Sequence, residues 1–589
     1  MLPARNIANN PMTSLCPSSP PVSKSERKKH ESLLIGVGIA CLLLALLSRS
    51  PALVLKARFF AEDGKIFYQQ AHELGFVRSV FVPYAGYLHL FPRLIAGLSL
   101  LLPLFYVPLF FNVAALTVQC ITAVYICSAR MRNVAPLAMR AVVAFLYLGL
   151  PHIGEVWGRL TNSQWHLAVL SFLILIAAPA PGRLGTWFDR VALVVGALTG
   201  PFSLLLLPIA LVPALFRRSS RTIANLAIVG SGAAVQAVTL LLHGRPETGN
   251  LGASFPLLFK LLTHGLFLTL LEDPWHTRPL FSDIGYCVLV AALPVLAWIL
   301  WKGSFEMRCA LLLGGMVIAA SLASPIITNV GEQWPAMLTS GGGERYWFIP
   351  RVVTVVAGLW VATQSFSKWA RAAGVLAMVF VVIFCIQGWR IEQWPGIHFR
   401  TYAHVFNGLP VGAMLRVPIE PPPIWNMEIT KKPLDWSYVD PGFRDGEILP
   451  INEWLTRRRL AKYENSSPAP GWVLRVNGRE LHGTGTALAP VHVSVRGGAL
   501  LEGWAVLPDG EGFRPMDEIY AIVSGRAVKG DRIPVVVRYR NTQVDNLMYL
   551  VYLPSILLHT GFQEITIVGD SRDDNTTHFC GKLYVWGDS

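Results

Sequence analysis

The chain has 589 residues, 53% of them hydrophobic and only 15% charged, with a mean hydropathy of +0.46. A soluble protein of this length needs far more charge to cover its surface, so composition excludes that class and indicates a polytopic membrane protein. The formal charge of +14 invites a nucleic-acid partner. However, the basic residues sit in short clusters between apolar runs, "SERKKH" (25–30), "SARMRN" (128–133) and "RRSSR" (217–221), the pattern of cytoplasmic loops under the positive-inside rule.

Residues 1–30 are Ser/Pro-rich and then basic, and read as a disordered cytoplasmic tail. A span needs about 20 apolar residues. The first such run, 32–49, lacks a clear A-x-A-like site and reads as an uncleaved span. Residues 50–105 then stay outside as a first periplasmic loop. Within it, 84–103 is apolar but carries His89, Arg93 and two prolines, so it is expected to lie in the interface, with His89 and Arg93 toward lipid headgroups. Spans follow at 106–127, 135–151 and 164–180. The stretch 191–216 is too short for two full crossings and reads as a hairpin broken at Gly200 and Pro201. Further spans are expected at 222–242, 284–301, 307–326, 348–366 and 372–388, with an interrupted apolar helix at 255–271 in an outer loop.

Eleven crossings from a cytoplasmic start place the C-terminus outside. With this parity the strongly basic short loops fall inside, and the acidic "AEDG" (61–64), "LEDPW" (271–275) and "GGERYW" (342–347) fall outside. The eight cysteines show neither a disulfide framework nor zinc spacing. Residues 391–469 read as a linker, with "RVPIEPPPIW" (416–425) extended and polyproline-like. From 470 to 589, alternating runs such as "WVLRV", "VHVSV", "IPVVVRY" and "KLYVW", separated by turn residues, predict a β-sandwich. The expected fold is therefore a mainly α polytopic membrane protein of about eleven transmembrane helices, closed by a C-terminal periplasmic all-β sandwich domain.

Polar residues concentrate in three outer segments. "FFAEDGKIFYQQAHELG" (59–75) sets Glu62 beside Asp63 on a short surface helix, where carboxylates also serve as N-terminal caps. "GEVWGRLTNSQWHLAVL" (154–170) carries Trp165 and His166, and "GGGERYWFIPRVV" (341–353) carries Arg345 and Tyr346. Each also reads as an ordinary wet helix end or aromatic belt. Their convergence on one face is what indicates chemistry.

An acidic pair in the first outer loop, then an interfacial helix carrying "PYAGY" (83–87), then the second span, resembles the layout of the GT-C glycosyltransferases. The likeness is closest to the lipid A aminoarabinose transferases and protein O-mannosyltransferases. Asp63, with Phe67 four residues on, matches the position of that family's catalytic aspartate; the family's second carboxylate falls at Gly64, and here Glu62 precedes the aspartate instead. "GERYWFIP" is similar to an Arg-Tyr-x-x-x-Pro motif of such enzymes. The resemblance covers roughly 32–390 and implies an inverting transferase on the periplasmic face of a bacterial inner membrane. Such an enzyme takes its sugar from a polyprenyl-phosphate donor and gives it to a glycan, lipid or protein acceptor. Asp63 is then the expected base, with Glu62 beside it, and Arg345 the expected phosphate ligand. Tyr346, His276, Arg278, Trp165 and His166 are expected to bind substrate. No cofactor or metal site is expected, since Glu62 and Asp63 have no third ligand for a divalent ion. The competing readings are an O-antigen polymerase or ligase, and a lipid-linked sugar transporter or flippase.

Overall fold

The computed structural model describes residues 44–589 except 46, 217, 247–248, 271–278, 328–330, 339–342, 365–366, 392–398, 409–413, 422–424, 434, 436–447, 451–466 and short stretches between 469 and 575. It is mostly helical up to residue 408. Among the described residues, five helices are long and apolar enough to cross a membrane: Leu104–Cys127, Ser220–His243, Phe305–Ala323, Glu344–Gln364 and Lys368–Gln387. Shorter apolar helices include Leu137–Gly149, Ser163–Ile176 and Phe202–Phe216.

Prolines explain why some expected spans are short. Pro136 precedes Leu137–Gly149 and Pro151 follows it, while "AAPAPG" stops Ser163–Ile176. At 1.5 Å per residue the 14-residue Ser163–Ile176 is about 21 Å long. It is nonetheless the centre of the bundle. All of its residues are buried except the half-exposed Gln164 and Ile176, and it touches the helices 107–127, 183–197, 202–216 and 344–364.

The expected break at Gly200 is present, between Arg183–Ala197 and Phe202–Phe216, so the first arm begins eight residues earlier than the sequence pattern implies. Gly200 has φ +76°, a conformation that glycine adopts without strain. The freed backbone groups are met by the first outer loop. Leu88 O accepts from Gly200 N at 2.8 Å, Leu90 N donates to Leu198 O at 3.0 Å, and Gln236 Oε1 accepts from Leu88 N at 2.9 Å.

The helix ends gather at two poles. At one pole, Arg130 forks onto Asp189 at 2.6 and 2.7 Å, and Arg221 donates to Ala177 O at 2.8 Å. These residues belong to basic segments assigned to a single membrane side. The other pole collects the three polar segments.

The segment 84–103, expected to lie in the interface, contains a ten-residue helix, Leu90–Ser99, about 15 Å long and half a bilayer core. His89 and Arg93 on it do not face outward: they are 3% and 0% exposed, and the Arg93 guanidinium lies over Phe67 at 5.1 Å. The region 391–469 is also more than a linker. Phe399–Gly408 is helical, and Met414–Pro418 pairs antiparallel with Asn426–Thr430. Leu415, Val417, Ile419, Met427 and Ile429 are fully buried against Phe59, Phe67 and Tyr68 of the first outer loop. Period-two alternation drives this hairpin; the adjacent proline triplet masks it in the sequence.

Beyond 467 the described strands, with Ile448–Pro450, form one twelve-stranded, mainly antiparallel sheet, apart from Val536–Tyr539 and Thr542–Asp545, which pair as a separate two-stranded sheet. The expected sandwich has two separate sheets. Here Gly471, in an early strand, packs against Cys580, in the last, so the sheet curls round a single core.

Candidate functional site

Ala61, at φ +37°, turns the chain into one turn of π-helix, Asp63–Tyr68, continued by Gln69–Leu74; such turns recur at functional sites. The Glu62 side chain makes no capping bond. Successive helical residues point about 100° apart, so the acidic pair diverges.

Asp63 turns into the protein. Its carboxylate is 1% exposed and accepts the backbone N–H groups of Leu160 at 3.1 Å and Thr161 at 2.6 Å. Burial pushes its pKa from an ordinary 3.8 up to about 7; the Thr161 N–H opposes this, the neighbouring Glu62 adds to it, and Arg159 opposes it. Asp63, the expected base, therefore holds the 160–161 backbone instead of facing open space.

Glu62 turns the other way and lines a cavity of about 240 Å³. There the Tyr84 hydroxyl donates to its Oε1 at 3.4 Å. The cavity's polar lining includes Glu62, Tyr84, Arg245, Arg345 and Tyr346; its apolar lining includes Phe202, Leu205, Val317 and Ala320, on the helices 202–216 and 305–323. His89 also borders it. Burial, with Arg93 nearby, pushes the His89 pKa down to about 4, against a hydrogen bond to Tyr84 O, so this imidazole is uncharged at neutral pH. The cations of the cavity are Arg245 and Arg345.

Those two arginines differ in what they have to spare. Arg345 is ion-paired to Glu155, donates to Ile326 O at 2.6 Å and lies over the Tyr346 ring at 4.9 Å. Arg245 lies over the Tyr87 ring at 5.6 Å and has no acidic partner among the described residues. Arg245 is not among the residues that the sequence pattern singles out. Its sequence context, "HGRPETGN" (243–250), makes it a basic residue in a segment that the charge pattern assigns to the outer side, against the positive-inside trend.

No family model, curated protein or solved structure matches the chain. The fate of each expected residue is therefore read from geometry alone. Trp165 lines the cavity, edge-on to Phe202 at 4.8 Å and to Tyr346 at 5.9 Å. His166, expected to bind substrate, does not reach it. His166 is 1% exposed inside the bundle, bonded to Tyr147 Oη at 2.5 Å and Gln119 Nε2 at 3.0 Å. It directly follows Trp165 on a helix that is buried almost all round, so the two point to different neighbours. His276 and Arg278 lie outside the described residues. Among the described residues no group of three His, Cys, Asp or Glu gathers as a metal would need.

One loop, 150–162, ties the pole together. Besides Asp63, it is held by Arg351, which donates to His152 O at 3.0 Å; by Glu344, which accepts from Glu155 N at 3.3 Å; and by Arg345 through Glu155. Arg159 of the same loop pairs with the buried Glu420 at 2.8 Å, and Arg58 pairs with Glu420 at 3.2 Å. Charges that read in sequence as a wet rim thus fix a turn, and the turn fixes Asp63.

Proposed function

We propose that the protein is a membrane glycosyltransferase of the inverting type, acting on the outer face of a bacterial inner membrane with a polyprenyl-phosphate sugar as donor. The observation that carries this reading is one cavity that combines a carboxylate, a guanidinium without an acidic partner among the described residues, an aromatic set and a wall formed by apolar helices, one of them long enough to cross a membrane. A lipid carrier offers the same sequence of chemistries: an apolar chain, a phosphate and a sugar.

In this reading the donor chain lies along Phe202, Leu205 and Val317, and its phosphate meets Arg245 with Arg345 beside it. The acceptor hydroxyl approaches Glu62. Its proton passes to Glu62 as its oxygen bonds to the anomeric carbon, and the bond from that carbon to the phosphate oxygen breaks. Polyprenyl phosphate leaves with its negative charge opposite the arginines. At about 4 Å and an effective dielectric of 20, one such pair is worth about 4 kcal/mol. Glu62 thereby takes the role that the resemblance gives to Asp63, and Asp63 positions the loop that bears Thr161 and Asn162 at the cavity wall. Eleven crossings, a cytoplasmic N-terminus and a periplasmic β domain complete the proposal. A flippase reading fits less well, because the charged cavity lies at one pole.

Mass spectrometry of cell-envelope glycans with and without the gene tests the reading. A sugar missing from a glycan, lipid or protein in the deletion strain, restored by the wild-type gene but not by Arg245→Ala, supports it. An unchanged envelope rules it out.

A further inference from the structure

The β domain contains a second cavity, of about 130 Å³, between the strand Gly471–Val476, the loop 481–486 and the last strand. Its floor holds an unexplained polar group. Tyr549 lines the cavity, the residue is 1% exposed, and its hydroxyl has no hydrogen-bond partner among the described residues. A buried unmade hydrogen bond costs roughly 1–3 kcal/mol, so such a group invites a ligand to complete it. At the wall stands Trp472, 58% exposed, with Tyr584 also lining the space. Thr484 and Thr486 bring two more hydroxyls to the rim.

Charge narrows the ligand class. Among the described residues the one charged lining residue is Lys582, which is paired with Glu564 at 2.6 Å, so these residues offer no free cation for a phosphate and no carboxylate for an amine. A flat apolar face beside several neutral hydroxyls matches a sugar ring, whose C–H face lies on an aromatic surface while its hydroxyls exchange hydrogen bonds at the edge. We infer that this cavity binds one ring of a neutral saccharide, with Trp472 as the stacking platform and Tyr549 as the buried hydrogen-bond partner. The site stands apart from the membrane cavity, and its test does not use the transfer reaction.

The test is a tryptophan-fluorescence titration of the full-length protein in detergent with the methyl glycosides of glucose, galactose, mannose and N-acetylglucosamine. At least one is expected to bind. Trp472→Ala is expected to abolish the binding, Tyr549→Phe to weaken it about fivefold, and Arg245→Ala to leave it intact. Tyr549→Phe removes no internal hydrogen bond, so its apparent melting temperature stays equal or rises. Failure of all four glycosides to bind the wild type overturns the inference. So does equal binding in the Trp472 and Tyr549 variants, or a lower melting temperature in Tyr549→Phe.

Discussion

Asp63 is held where a charge is unwelcome, and this has a measurable sign. Its pKa is raised from 3.8 in the open chain to about 7 in the folded protein. The folded state therefore keeps a proton that the unfolded state releases, and stability contributed by this group is present below about pH 4 and lost as pH rises through about 7. Thermal unfolding of the wild type is expected to show a lower apparent midpoint at pH 8 than at pH 5, and Asp63→Asn is expected to flatten that difference. Arg345 is bound to its neighbours in another way. Arg345→Ala leaves Glu155 half-buried and unpaired, with an expected loss of about 3 kcal/mol, and the double replacement with Glu155→Gln is expected to recover part of it. Additive losses in that cycle would show that the pair is not coupled.

Two contacts between elements decide how the outer pole is assembled. Gly232, on Ser220–His243, stands so close to the neighbouring helix that an added Cβ would lie 2.5 Å from Ala197 Cβ. Gly232→Val is expected to cost about 1–3 kcal/mol and to loosen the broken hairpin, read as a lower melting midpoint. The second contact is Glu420, which joins the hairpin beyond the last long helix to Arg58 and Arg159. Glu420→Gln leaves two guanidiniums facing a neutral amide. Hydrogen exchange in 58–64 and 414–420 is expected to speed up while the remote β strands exchange as before. Uniform acceleration through the whole chain would instead mark general destabilisation. Long apolar runs and the Gly-Pro break were legible because length and helix-breaking chemistry are local properties. The 414–430 hairpin was not, since its burial depends on a surface contributed by residues more than 300 positions earlier.

At the scale of the whole molecule, composition and charge clustering revealed the membrane class, and period-two runs revealed the β region. The divergence of Glu62 from Asp63, the internal position of His166 and the lack of an acidic partner for Arg245 among the described residues were not legible, because each depends on which neighbour a folded helix turns toward. The acidic pair lies on the turn that borders the cavity, where Glu62 faces the cavity and Asp63 the 160–161 backbone. The central claim is that the membrane-facing cavity removes a sugar from a lipid phosphate with Glu62 as base. The most direct measurement is transfer of radiolabelled sugar from an undecaprenyl-phosphate donor by the purified protein in liposomes, with wild type beside Glu62→Gln. The account predicts transfer by the wild type and a loss of at least about 100-fold in the variant, with retained binding of the donor. Equal rates in the two proteins, or no transfer by the wild type with lipid extract supplying acceptors, would contradict it.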